Sequence, residues 1–165
     1  MSISYKLTGK YGMGKEVLIS PEDFEKINGR RLCCISSGYV MIWNKETNKA
    51  EYLHRWLFGL EKGDKRIIDH QDHNLLNCTR TNLRVCTISE NMMNGPKLEK
   101  NGKAASKYKG VRKQGDKWTA VCQKDKIRYN LGAFETEVEA AEAYNKKAIE
   151  IHEGFAMLNI IIRNH

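Results

Sequence analysis

The chain has 165 residues, room for one ordinary domain or two small ones and too little for a large multidomain machine. Hydrophobic residues make up 41% and charged residues 29%, enough for a core beneath a heavily charged surface. No apolar run reaches the roughly 18–20 residues of a membrane span, and the start MSISYKLTGKYGMG lacks the apolar stretch of a signal peptide. A net charge of +8 points to a polyanionic partner, because a basic surface that displaces counterions from nucleic acid gains free energy. The five cysteines, Cys33, Cys34, Cys78, Cys86 and Cys122, are an odd number without an export signal, and are expected as reduced thiols in a cytosolic compartment.

In chain order, Glu16–Ser20 reads as a strand. Ser20-Pro21 then opens a short helix to Ile27 with proline at its first position, and Leu32 to Trp43 reads as a strand pair. His54 and Arg55 precede the apolar helical run Trp56-Leu57-Phe58, which leaves packing and phosphate binding both open for this pair. Residues 67–94 carry the chemistry. An adjacent Asp69-His70 is followed by a polar loop with Asp72, His73, Asn74 and Asn77, then Asn82-Leu83-Arg84, then a helix-like Ser89-Glu90-Asn91. A hard cation such as Mg²⁺ or Mn²⁺ takes oxygen ligands, here Asp69 and Asn91, and keeps positions open for phosphate and water. A neutral imidazole at His70 can take the proton of the attacking water, so the set suits phosphodiester hydrolysis. Asn74 and Asn77 read as turn residues and His73 as a surface histidine. The cysteines show no Cys-x-x-Cys pair, so structural zinc is not expected.

Residues 94–105, with Gly95-Pro96 and Asn101-Gly102 in a polar stretch, read as a linker. Beyond it, residues 97–131 hold 11 basic and 3 acidic side chains, whereas residues 132–154 hold two lysines and six glutamates. The basic part has three strand-like segments, Tyr108–Arg112, Lys117–Gln123 and Lys126–Leu131, separated by Gly115-Asp116 and Lys124-Asp125 turns. Thr136-x-x-Glu139 is a capping box, and Ala140, Ala141, Ala143, Tyr144, Ala148 and Ile151 recur at helical spacing. The expected product is an amphipathic helix on one face of an antiparallel sheet, with the charged face left for a ligand.

Two resemblances extend this reading. Ser106–Arg112, Lys117-Trp118, Leu131-Gly132-x-Phe134-x-Thr136, Ala140-Ala141-x-Ala143-Tyr144 and Phe155-Ala156-x-Leu158-Asn159 resemble the Apetala-two, or ethylene-response-factor, DNA-binding domain. That likeness implies a sheet lying in the major groove. Its contacting positions fall on Lys109, Arg112, Gln123, Arg128 and Asn130, and Lys113 is a further candidate for gripping phosphate. Gln123 and Asn130 stand where the plant pattern has arginine and tryptophan, so the plant sequence preference does not carry over. Trp118 reads equally as core anchor or DNA contact.

Tyr52-Leu53-His54-Arg55, Asp69-His70-x-Asp72-x-Asn74-x-x-Asn77, Asn82-Leu83-Arg84 and Glu90-Asn91 resemble the HNH endonucleases, in particular their phage homing branch. The resemblance implies a ββα-metal fold, with His70 as general base, Asp69 and Asn91 as metal ligands, and Asn82 holding the loop and orienting the base. Arg55 is placed with the DNA-binding set. The expected class is α+β: a nuclease module over residues 1–93, a linker over 94–105 and a DNA-binding domain over 106–160. The expected activity is cleavage of double-stranded DNA by a monomer with no small-molecule cofactor and no membrane, phage-encoded and acting in the bacterial cytoplasm. The alternative is a non-catalytic DNA-binding regulator that keeps the nuclease shape.

Overall fold

In the computed structural model, which describes residues 1–95 and 106–161, the chain divides into two compact units, Met1–Thr87 and Ile88–His165. The first unit is assembled from short strands because its apolar residues come in runs too brief for long helices. Strands β1 (Ile3–Lys6) and β2 (Glu16–Ile19) pair antiparallel, with Val17 and Ile19 fully buried. Helix α1 (Pro21–Ile27) follows, with Pro21 at its start, where a missing N–H costs nothing. Ser20 does not cap it through its side chain, because the Ser20 hydroxyl accepts the Arg80 backbone N–H instead.

Strands β3 (Leu32–Cys34), β4 (Val40–Asn44) and β5 (Lys49–Tyr52) form a second antiparallel sheet that runs into α2 (Leu53–Leu57). Strand β6 (Ile67–His70) pairs antiparallel with β8 (Leu83–Cys86), while the two-residue β7 (Asn77–Cys78) adds in parallel to β2. Val17, Ile19, Ile27, Leu32, Ile42, Leu53 and Ile68 close one core between these sheets and helices.

One buried ion pair ties the unit together. Arg80 sets Nε and Nη2 on the two oxygens of Asp23, at 2.6 and 2.8 Å, and also donates to the Leu57 carbonyl. Asp23 has no solvent exposure. Burial works against its charge, but Arg80 and Lys26 outweigh that and hold the carboxyl below its ordinary value.

The second unit begins with α3 (Ile88–Asn94) and continues as β9 (Val111–Gln114), β10 (Lys117–Lys124), β11 (Ile127–Phe134) and α4 (Glu137–His152). The sheet order is β11-β10-β9, antiparallel throughout. The Thr136–Glu139 capping box forms as the sequence implies. Ala140, Ala141 and Ala148 have no exposure, so the helix backbone lies close on the sheet. Asn159 brackets Lys109, accepting its N–H and donating to its carbonyl, and pairs through its own backbone with the Asn145 amide.

Three expectations shift. The first sheet strand starts at Val111 rather than Tyr108, because Gly110 turns the chain at φ +75°, where a Cβ would fall 2.1 Å from the Tyr144 ring. The third strand runs on to Phe134, past a register shift between Ala120 and Val121. Helix α3, expected inside the first module, groups with the second: Ser89 donates to Asp125, and Lys109 Nζ donates to the Met93 and Gly95 carbonyls. Residues 96–105 of the expected linker lie outside the described residues.

Removing one partner of a buried pair leaves the other uncompensated. Asp23→Ala is therefore expected to cost about 3 kcal/mol, the low end for such pairs because Arg80 keeps partial solvent access. Urea unfolding of the variant should show a lower midpoint with an unchanged slope.

Candidate active site

The β6–β8 hairpin aligns Asp69 with Arg84 and His70 with Leu83. Successive side chains on a strand point to opposite faces, so the two neighbours Asp69 and His70 enter different surroundings. Asp69 meets Arg84, whose Nε and Nη2 both donate to Oδ2 at 3.0 and 2.8 Å. His70 meets rings: its centroid lies 5.2 Å from His54 of α2 and 6.3 Å from Tyr39, and Nε2 is 3.9 Å from the Cys78 sulfur.

Burial lowers the His70 pKa, while the Asp72 and Asp69 charges oppose the shift only in part. The imidazole is therefore neutral at pH 7, the state a general base requires. His54 is pushed down to about 4, first by burial and then by His70 and Arg55. Burial lifts the Cys78 thiol to about 12, so it stays protonated beside the base.

The loop from Gln71 to Asn82 is folded around two side chains. Asn82 accepts the Asp72 N–H through Oδ1 and donates through Nδ2 to Asp72 Oδ1 and the Asn77 carbonyl. Asp72 accepts in turn from the Asn74 N–H and the Asn77 amide. Asn74 and Asn77 act as turn residues, as their type implies. His73 is exposed at φ +60°, a conformation an L residue adopts rarely.

Asp69, His70 and Asn82 thus belong to one hairpin. Asn91 sits half-buried on α3, in the second unit. Arg55 departs from its expected place on phosphate: its guanidinium donates to the Glu61, Asp64 and Arg66 carbonyls and organises the loop ahead of β6. His54 takes the packing alternative, buried and stacked on Tyr52 at 5.6 Å. Two arginines escaped the sequence reading as structural partners, Arg84 and Arg80. Arg84 was within reach, since an Asp-His strand paired in register with Leu83-Arg84 sets the two charges opposite each other.

In the second unit, strand register sorts the basic residues. Val111, Trp118, Ala120, Leu131 and Phe134 pack toward α4. The other face carries exposed Arg112, Gln123, Arg128 and Asn130, with Arg112 opposite Thr119, Asn130 opposite Val121 and Arg128 opposite Gln123. Lys113 does not join them. It pairs with Trp118 on the helix side, and its ammonium lies 5.9 Å above that ring. Lys109 is also withdrawn: it lies before the strand, half-buried, with its ammonium on two backbone carbonyls. Trp118 is half-buried against the core of the sheet, its anchor reading. None of the five cysteines is in a disulfide.

Comparison with known proteins gives this arrangement a family. A model of the HNH endonucleases matches residues 51–93, the span from β5 to α3 that contains Asp69, His70, Asn82 and Asn91. An uncharacterised HNH endonuclease of Acanthamoeba polyphaga mimivirus is 30% identical over 164 residues, covering 96% of this chain and 82% of the relative. The chain belongs to the HNH endonuclease family. No solved structure matches it. The family as a whole cleaves DNA and generally uses divalent metal ions.

A histidine whose folded pKa lies below its unfolded value binds fewer protons when folded. The stability it contributes is complete above pH 6.5 and is lost as the pH falls toward 4. For His54 the shift to about 4 corresponds to roughly 3 kcal/mol. His54→Phe should therefore narrow the gap between urea midpoints measured at pH 7 and at pH 4.5.

Proposed function

We propose that this HNH protein is a divalent-metal-dependent endonuclease of double-stranded DNA, in which the β9–β11 sheet grips the duplex near the bond that the first unit hydrolyses. The observation that carries the reading is the hairpin. A buried, neutral imidazole and a carboxylate occupy consecutive positions on β6, with the intervening loop locked by Asn82.

In this reading His70 accepts the proton of the attacking water. Its ring is held by Tyr39 and His54 and has no need to lose a proton first at neutral pH. Asn82 does not touch the water. It fixes Asp72 and the Asn77 carbonyl, and so fixes the loop that leaves His70. By the resemblance to the HNH motif, Asp69 and Asn91 are the residues that would hold the cation. The donor set fits a hard ion, one carboxylate and one amide oxygen with no sulfur. Bound there, such an ion would stabilise charge on the phosphate and on the leaving oxygen.

Arg112 and Arg128 project from the open sheet face, where arginine can read guanine through paired N–H donors, and Gln123 and Asn130 can pair with adenine edges. The likeness of residues 106–160 to plant DNA-binding domains supports this use of the sheet.

Two measurements test the reading. With Mg²⁺, His70→Ala should cleave plasmid DNA about 10²–10⁴-fold more slowly while duplex binding persists; cleavage at the wild-type rate would remove His70 from its role. In the full-length chain, Arg112→Ala and Arg128→Ala should each cost roughly 1–3 kcal/mol, concentrated at individual base pairs. A loss spread evenly over all sequences, with a shallower salt dependence, would reduce both to phosphate contacts.

A further inference from the structure

Asp69 and Arg84 are direct cross-strand partners, and two of the Arg84 donors, Nε and Nη2, converge on one carboxylate oxygen. The pair is poorly solvated, with side-chain exposures of 7% for Asp69 and 15% for Arg84. Opposite charges in contact hold each other more strongly there than at an open surface, and separating them without a replacement is costly. A divalent cation arriving at Asp69 meets a carboxylate already engaged by two N–H donors, with a positive charge a few ångströms away. A phosphodiester oxygen offers the guanidinium the same kind of acceptor as the carboxylate does, charged and suited to paired donors.

We propose that Arg84 is an exchangeable latch on the metal-binding carboxylate. Without DNA it neutralises Asp69 and opposes the cation; with duplex bound it moves to a backbone phosphate, so cation and DNA bind cooperatively. The inference rests on the proposed role of Asp69 as a metal ligand. Linkage makes the effect reciprocal: whatever factor DNA adds to cation affinity, the cation adds to DNA affinity. Arg84 is thus a positioning residue for Asp69 in the free protein and a phosphate contact in the complex. A nuclease so arranged loads its ion where a phosphate is already present.

The probe is Mn²⁺, followed by the loss of the free-ion electron paramagnetic resonance signal, on the full chain carrying His70→Ala so that DNA is not consumed. A short mixed-sequence duplex should tighten Mn²⁺ binding about five- to hundredfold in the protein with Arg84. Arg84→Gln should bind Mn²⁺ about tenfold more tightly without DNA and lose most of the gain that duplex brings. Arg84→Lys, which keeps the charge but not the paired donors, should fall between the two, and it carries the test if Arg84→Gln does not fold. Lys65→Gln, an exposed charge just ahead of β6, should change neither value, which separates the latch from general electrostatics. Unchanged or weaker DNA-free Mn²⁺ binding in Arg84→Gln overturns the latch. The reading beneath it fails separately, if Asp69→Asn binds Mn²⁺ as well as its parent does.

Discussion

The contact between Arg80 and Asp23 is the constraint on which the first unit's site depends. A carboxylate with no solvent exposure persists as an ion only if its partner is close and well aimed, and Arg80 supplies two short hydrogen bonds. The same guanidinium reaches the carbonyl at the end of α2 and lies 4.6 Å from the Phe58 ring, while the Arg80 N–H is taken by Ser20. The start of α1, the end of α2 and the segment leading to Asn82 are therefore fastened at one point. With both ends so placed, His54 of α2 can lie against His70 of β6, and Asn82 can close the loop that follows His70.

Strand geometry then does the electrostatic sorting. Consecutive residues on β6 must face opposite ways, so two neighbours in sequence can meet different partners. His70 lies among the Tyr39 ring, a neutral His54 and a protonated Cys78 thiol; Asp69 lies against Arg84. Proton affinity is lowered on one side and negative charge is held on the other. A helix would not separate two neighbours this way, since adjacent side chains there diverge by only about 100°.

What could be read in the sequence follows the range of the interaction. The capping box of α4, its alanine stripe and the Gly115-Asp116 turn are local, and each appears where its pattern implies, while the second turn falls one residue later than expected, at Asp125-Lys126. Long cationic side chains are where reading failed. Arg55 and Lys109 end on backbone carbonyls, which have no sequence signature, and Lys113 follows a pleat whose phase depended on where β9 begins. The grouping of α3 with the second unit was hidden for the same reason: its ties run to Asp125 and Lys109, on the far side of a linker-like stretch.

This sorting also changes what the local charge means. Residues 97–131 carry a surplus of eight positive charges, yet Lys109 is committed to carbonyls, Lys113 lies toward the helix side and Lys117 pairs with Glu135 at 2.9 Å. Among the described residues of the three strands, the open face presents Arg112 and Arg128 beside the neutral donors and acceptors Thr119, Gln123 and Asn130. Few cations make few phosphate neutralisations, and affinity built on few counterions is correspondingly modest and less salt-sensitive. In the proposed function such a face is better suited to telling sequences apart than to holding DNA tightly. The ionic attraction must then come in part from elsewhere in the chain, and a guanidinium released from Asp69 onto a phosphate would supply it at the point where the bond is cut.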